Sequence, residues 1–259
     1  MNIKDAFFAD KSRWISGIGL ALTAFVVVFS GSLLLFWLVL GVVYIRALYE
    51  AARFLDIEKD FFIYIFGVPI WLAALFFPQP LNLALLALLI LSIPSIFNIK
   101  NFQQIAKLII YPTIPFLAIV SIYATQNNPE WLMFLLFMSV AMADMGAYFG
   151  GRLYGKRKLA PDISPNKTIE GAIFGLIAGT LVGTLVGVFI FSNIYVAIAL
   201  AFFITFFSII GDLFESYIKR LYDKKDSGSI FPGHGGVLDR VDGVMFGGAV
   251  LYIALGVIG

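Results

Sequence analysis

Cysteine is absent from this chain, histidine occurs once, at His234, and only 13% of the 259 residues are charged. The lack of cysteine excludes disulfides, a thiol nucleophile and thiolate metal sites. With one imidazole and no thiolate, a zinc site has almost nothing to draw on. Long polar stretches are missing too, so no segment is available to fold as a separate soluble domain. What fills the space is apolar sequence: hydrophobic residues make up 61% of the chain, far above the soluble average. The chain therefore reads as an all-α integral membrane protein, a polytopic helical bundle forming one membrane domain over residues 1–259.

A helix crosses the hydrocarbon core with about 20 residues. Nine segments meet that length at least roughly: 13–30, 32–55, 60–77, 80–97, 105–124, 129–150, 168–191, 193–222 and 237–258. Small or turn-forming residues separate several of them, namely Ser30-Gly31-Ser32, Pro78 with Pro80, and Asn127-Asn128-Pro129. The charged start, MNIKDAFFADKSRW, runs into apolar sequence without a cleavage-site pattern, so the first span is expected to be retained. The net charge of +2 says little, but the 18 Lys and Arg residues all fall at the start of the first span or around alternate connections, some of them in the flanking span ends. Nine spans place every one of them on a single side, the cytoplasm, with the N-terminus inside and the C-terminus outside. One span more or fewer breaks that pattern.

The seventh segment carries Gly171, Gly175, Gly179, Gly183 and Gly187, one every four residues. That spacing predicts a small-residue face which another helix approaches closely. Packing, not catalysis, is the reading for this stripe.

Charge is concentrated in residues 208–243, which hold five of the 18 basic and six of the 16 acidic residues between two apolar segments. Asp212 and Glu215 lie late in the eighth segment, Asp242 at the start of the ninth, and Asp144 late in the sixth. Carboxylates at such depths are costly and face a bundle interior or a water-filled cavity. One alone could be the structural partner of an arginine; several on the same half of the membrane point to a site. Asp212, Ser216 and Lys219 share one helical face, as do Asp239 and Asp242. All-oxygen, carboxylate-rich ligation suits a hard cation such as Mg²⁺. Between these helices, Gly228, Gly233, Gly235 and Gly236 allow backbone amides to approach an anion. His234 sits among them, either as a loop-stabilising hydrogen-bond partner or as a phosphate contact or proton carrier.

A second polar cluster follows the sixth segment. Gly150 to Lys156 fits GxxxxGK spacing, but Arg157 follows instead of Ser or Thr, and a membrane helix precedes it instead of a strand; this is not a Walker loop. Arg152, Lys156, Lys167 and Ser164 instead make a basic surface beside Asp144 that suits a polyphosphate. The positive-inside tendency is enough to explain Arg157 and Lys158. Ser164-Pro165-Asn166-Lys167-Thr168 leads directly into a helix with Glu170 in its first turn; Thr168 or Asn166 caps it, and helix N-termini bind anions.

These residues carry a resemblance. Ser216-Tyr217-Ile218-Lys219-Arg220, Lys225-Asp226-Ser227-Gly228, Pro232-Gly233-His234-Gly235-Gly236 and Asp239-Arg240-Val241-Asp242, in that order, resemble the signature of the phosphatidate cytidylyltransferases, the CDP-diacylglycerol synthases. Asp144-Met145-Gly146-Ala147-Tyr148, Gly151-Arg152, Gly155-Lys156 and residues 164–171 are also similar to that family. The C-terminal half carries the resemblance; the first five spans match only in hydropathy and length. Residues 1–127 are accordingly expected to form a helical scaffold and 128–259 the catalytic helices and loops.

The resemblance implies that phosphatidic acid attacks the α-phosphorus of CTP, giving CDP-diacylglycerol and pyrophosphate. It also implies Mg²⁺ dependence with a second cation, divalent or K⁺, as a candidate. A homodimer, a location in the inner (plasma) membrane with the site facing the cytoplasm, and no nucleic-acid partner belong to the same expectation. The expected catalytic set is Asp212, Lys219, Arg220, Asp239 and Asp242. Asp212, Asp239 and Asp242 are the metal candidates, while Asp144 is either a further ligand or a partner of Arg152. Substrate contacts are expected from Asp144, Arg152, Lys156, Ser164, Asn166, Lys167, Thr168, Glu170, Ser216, Lys225, Asp226, His234, Gly235, Gly236 and Arg240. Rival readings are a CDP-alcohol phosphatidyltransferase, a lipid kinase and an ion-coupled transporter. The first lacks its DGxxAR opening here. The last expects interrupted helices in matching halves of the chain, whereas the polar residues cluster in one half.

Overall fold

A computed structural model describes residues 11–59, 61–77, 79–96, 102–224, 226–228 and 235–258, and not the side chains of 11–18, 20, 62, 94–96 and 102. The helices are α1 (Lys11–Phe29), α2 (Leu33–Phe54), α3 (Phe61–Ala73), α4 (Leu81–Ile96), α5 (Phe102–Leu108), α6 (Ile114–Thr125), α7 (Pro129–Tyr154), α8 (Ile169–Gly187), α9 (Ile194–Leu221) and α10 (Leu238–Ile258). Among the described residues, six helical stretches are long and apolar enough to cross a membrane: α2, 103–125, α7, α8, α9 and α10. Their outer surface is apolar, with Val42 72% and Val257 82% exposed, as expected where lipid rather than water is the neighbour. This is a helical membrane protein.

Two departures from the expected segments have local causes. The segment 105–124 is not one helix. A π-helical turn, Ile109–Thr113, interrupts it, and Tyr111 has the extended values φ −143° and ψ 115° ahead of Pro112. Proline removes an amide donor and drives the residue before it out of the helical region. Side chains take up the freed groups: Thr113 Oγ1 donates to the Leu108 carbonyl at 2.9 Å and lies 3.0 Å from Tyr44 Oη. The second departure is a small sheet in the connection after α7. Strands β1 (Lys158–Ala160) and β2 (Ser164–Thr168) pair antiparallel, with Lys158 opposite Thr168 and Ala160 opposite Ser164. Pro161 and Asp162 turn the chain between them, closed by Ile163 N–H donating to Ala160 O at 3.2 Å. An all-α description therefore omits one hairpin.

The glycine stripe does what its spacing predicts. A Cβ on Gly171 would lie 2.8 Å from Ala147 O, one on Gly175 2.6 Å from Ala143 O, and one on Gly179 2.6 Å from Ser139 O. The partner stripe on α7, Ser139-Ala143-Ala147-Gly151, is itself small at every fourth position, so the two backbones run antiparallel in direct contact. The same glycines meet α9 farther along, where Gly179 faces Thr205 and Gly187 faces Ala197. α10 packs back on α9 through Gly211 beside Asp242 O and Gly247 beside Ile204. This serpentine packing brings the C-terminal end of α7, the N-terminal end of α8, the C-terminal end of α9 and the N-terminal end of α10 together at one end of the bundle.

Candidate active site

The polar residues of the C-terminal half meet at that shared end. Lys167, on β2, reaches α9 and places Nζ 2.5 Å from Asp212 Oδ2. Asp144, on α7, has Asp212, Asp242, Lys167 and Arg240 as its charged neighbours. Asp242 in turn faces Asp212, Glu215 and Lys167. Arg152 does not pair with Asp144; its Nη1 donates to Tyr148 Oη at 3.0 Å. Glu215 is buried, with no hydrogen-bond donor on either oxygen; Lys219 Nζ at 3.5 Å balances it and the Asp242 carboxylate lies alongside. Asp144, Asp212, Asp242 and Glu215 thus put four carboxylates around two ammonium groups and one guanidinium.

Asp239 is occupied differently. Its Oδ2 accepts from Ser227 N at 3.0 Å, Ser227 Oγ at 2.8 Å and Gly236 N at 2.8 Å, and its Oδ1 accepts from Lys219 Nζ at 2.5 Å. Three of these donors crowd onto Oδ2 and come from the chain before α10, while Oδ1 meets the Lys219 ammonium. Asp239 is therefore committed to shaping the loop before α10 and to fixing Lys219. Gly235 serves the same turn: its φ is +78°, and a Cβ there would overlap Asp239 Oδ2.

The hairpin connection is held from both ends. Thr168 is the N-cap of α8, its Oγ1 accepting from Gly171 N at 3.1 Å. Glu170 turns back on the preceding chain: Oε2 accepts from Lys156 N at 3.0 Å and Arg157 N at 3.1 Å, and Oε1 from Arg157 Nε at 3.1 Å. It pins the turn after α7 rather than facing the carboxylates. Arg220 Nε donates to Ile163 O at 3.1 Å, tying the hairpin to the end of α9. Arg152, Lys156, Asn166, Asp226 and Arg240 are exposed, Ser164 is half-buried and Ser216 is buried on α9. Lys225 and His234 lie outside the described residues.

One participant escaped the sequence reading. Glu50, near the end of α2, is fully buried and accepts from Ser227 Oγ and Leu238 N, both at 3.0 Å. It belongs to the half of the chain expected to act as scaffold. Its signal was available as a carboxylate inside an otherwise apolar span, with Arg46 one helical turn before it.

Of the residues expected to act together, the fold assembles Asp144, Lys167, Asp212, Lys219, Asp239, Asp242 and Arg240. It sets Glu170, Arg220 and Arg152 to other local bonds. The cluster combines oxygen-only carboxylates with cationic side chains set among them, Lys167 against Asp212 and Lys219 between Glu215 and Asp239. Such a combination handles phosphate groups with the help of a cation.

Comparisons with known proteins agree with the chemistry of this cluster. The family model described as the cytidylyltransferase family matches residues 11–258. A phosphatidate cytidylyltransferase of Helicobacter pylori is 37% identical over 254 residues, covering 98% of this chain and 94% of that protein. The phosphatidate cytidylyltransferase of Brucella suis is 48% identical over 119 residues, 46% of this chain and 44% of that protein. The one from Bacillus subtilis is 42% identical over 114 residues, 43% of this chain and 42% of that protein. With a match across nearly its whole length, the chain belongs to the cytidylyltransferase family.

Proposed function

We propose that this protein is a phosphatidate cytidylyltransferase that makes CDP-diacylglycerol for phospholipid synthesis. A phosphate oxygen of phosphatidate bonds to the α-phosphorus of CTP, the bond from that phosphorus to the β-phosphate bridging oxygen breaks, and pyrophosphate leaves. The observation that carries the reading is the meeting of Asp144, Asp212, Asp242 and Lys167 at one end of a membrane helix bundle. Both substrates are anionic at the reacting centre, so the site has to hold phosphates while stabilising charge on the leaving group.

Magnesium fits the donor set in chemistry. Asp144, Asp212 and Asp242 are hard oxygen donors that lie within one another's electrostatic reach, and Glu215 adds a buried carboxylate without a hydrogen-bond donor. Among the described residues no three of them converge tightly enough to form a closed metal site. Asp144, Asp212 and Asp242 would hold the ion, and Asp239, with three loop donors on Oδ2 and Lys219 on Oδ1, acts as an organiser. Bound there, the cation would offset phosphate charge and lower the cost of pyrophosphate departure. Lys167 and Arg240 offset charge on bound phosphates, and the exposed Arg152 and Lys156 extend that surface outward. Lys219, enclosed by Glu215 and Asp239, keeps α9 and α10 in register. The phosphatidate phosphate is nucleophilic enough near neutral pH to need no strong general base.

The test uses purified protein in detergent with CTP, phosphatidate and Mg²⁺. Pyrophosphate and a liponucleotide are the expected products; their absence across a range of metals overturns the reading. Supplying dCTP or ATP in place of CTP reports nucleotide choice.

The finer topology belongs to the same proposal: nine spans, N-terminus inside, the site facing the cytoplasm of the inner membrane, and a homodimer. Its support is the grouping of Lys and Arg around alternate connections and the resemblance to the family. Because the chain has no cysteine, single introduced cysteines can be labelled from either side without background. Labelling of positions 127 and 156 from the same side refutes the topology, and a monomer by cross-linking and light scattering refutes the dimer.

A further inference from the structure

The glycine-rich loop before α10 does cradle an anion, but the anion is the protein's own. The Glu50 carboxylate is lodged between Gly228 and Gly236: a Cβ on Gly228 would lie 2.5 Å from Glu50 Oε1, and one on Gly236 would overlap Oε2. Oε2 accepts from Ser227 Oγ and Leu238 N at 3.0 Å each, while Oε1 accepts from Arg46 Nε at 3.1 Å. Leu238 is the first residue of α10, so its amide is one of the donors a helix start leaves without an intrahelical partner. A carboxylate from another helix satisfies it and complements the positive end of the helix dipole. Ser227 Oγ lies within 3.0 Å of both Glu50 and Asp239, so its single proton is shared between two carboxylates from opposite halves of the chain. Nearby, the Lys224 ammonium donates to Arg53 O, a second tie between the end of α2 and the chain leaving α9.

We infer that Glu50 is a positioning residue for the active site: it holds Ser227 and the first turn of α10, and through them sets Asp239, Lys219 and Asp242. A buried carboxylate is costly unless fully paired. Packing of α2 against its neighbours does not require one at this depth. Its three protein partners account for its presence: one on its own helix, two on the loop and helix that carry the site. The inference rests on the proposed cytidylyl transfer.

The test compares E50Q, E50A and S227A in the full-length protein in detergent. It measures kcat, KM for each substrate, the fraction folded, and amide hydrogen exchange at residues 226–228 and 235–238. E50Q keeps an acceptor oxygen for Leu238 N but loses the charge facing Arg46; E50A keeps neither. Loss of such a supporting group costs roughly 10–100-fold where it orients a centre of this kind. The expected order of kcat per folded molecule is wild type, then E50Q, then E50A, with the larger loss in kcat than in KM and faster exchange at 236 and 238. The E50A/S227A double variant is expected to fall by less than the product of the single losses, because both remove the Ser227–Glu50 bond, while S227A also removes the Oγ contact to Asp239. An E50A protein with wild-type kcat per folded molecule overturns the inference, and so does unchanged exchange at 236 and 238. If neither Glu50 variant folds, S227A is judged by those same two outcomes. An inactive wild type refutes the proposed function instead, and the exchange measurement still decides the role of Glu50.

Discussion

Replacing Asp239 with asparagine should cost stability as well as turnover. The carboxylate meets one cation with Oδ1 and three loop donors with Oδ2. An amide must put its NH₂ on one of those two sides. Facing the loop, it would oppose three donors whose bonds to a charged acceptor are worth about 1.5–3 kcal/mol each. Facing Lys219, it gives up an ion pair whose side chains are only 13% and 11% exposed. Breaking a buried pair from one side costs roughly 3–5 kcal/mol. The second arrangement costs less. Glu215 remains 3.5 Å from Lys219 Nζ and keeps part of the compensation, so the low end applies, about 3 kcal/mol. For a chain of this size that lowers the unfolding midpoint by roughly 6–12 °C. Tryptophan fluorescence of the detergent-solubilised protein on heating measures it. Asp242→Asn is the matched control. Asp242 accepts from its neighbour's amide, Gly243 N at 2.8 Å, and has Asp212 and Glu215 as acidic neighbours, so losing its charge relieves repulsion. Turnover should disappear while the midpoint holds or rises. A D239N midpoint within about 2 °C of wild type, or an equal fall in D242N, refutes this division of labour.

Other outcomes follow from the same geometry. Thr168→Ala removes the N-cap of α8 and should cost about 1 kcal/mol, read as a lowered thermal midpoint with the fold retained. Gly179→Val drives a side chain against Ser139 O and Thr205 at once; overpacking of about 1–3 kcal/mol should lower both midpoint and membrane yield. Glu170→Gln loosens its charge-assisted bonds to the turn after α7, so trypsin should cut after Lys156 and Arg157 faster than in wild type, with SDS gels of timed digests as the check. Chelation with EDTA should stop pyrophosphate release and added Mg²⁺ restore it; turnover that survives exhaustive chelation refutes the metal assignment.

Much of this architecture is legible in composition because lipid imposes few solutions on a backbone. Apolar runs, the grouping of basic residues and a four-residue glycine period are one-dimensional signals, and the period predicts a close helix contact along α8 without naming α7 as the partner. The carboxylates were visible for a related reason: Asp144, Asp212 and Asp242 are conspicuous where charge is expensive. The division of roles among them was not legible. Asp239 and Asp242 share a helical face at i, i+3, and nothing in that spacing tells that one is held by the loop's amides and hydroxyl and by Lys219 while the other faces Asp212 and Glu215. The glycines near 236 were read as room for a substrate anion, whereas the carboxylate that lies against Gly228 and Gly236 is Glu50, far away in sequence and identifiable there only from tertiary contact. The break at Tyr111 was available in principle from Pro112, yet proline in a membrane helix often leaves the span continuous. The hairpin after α7 depends on a register that three short strand residues do not announce.

The paired small-residue stripes of α7 and α8 also bear on how rigid the site can be. Ordering a long side chain at a helix interface sacrifices rotamer freedom, up to about 2 kcal/mol each. Glycine and alanine have none to lose, and Ser139 has little. The contact that aligns Asp144 with the start of α8 is therefore formed backbone to backbone, without flexible side chains as intermediaries. Thermal motion at that end of the bundle should reside in the surface loops and the lysine side chains, while the carboxylates themselves keep a spacing fixed by main-chain geometry.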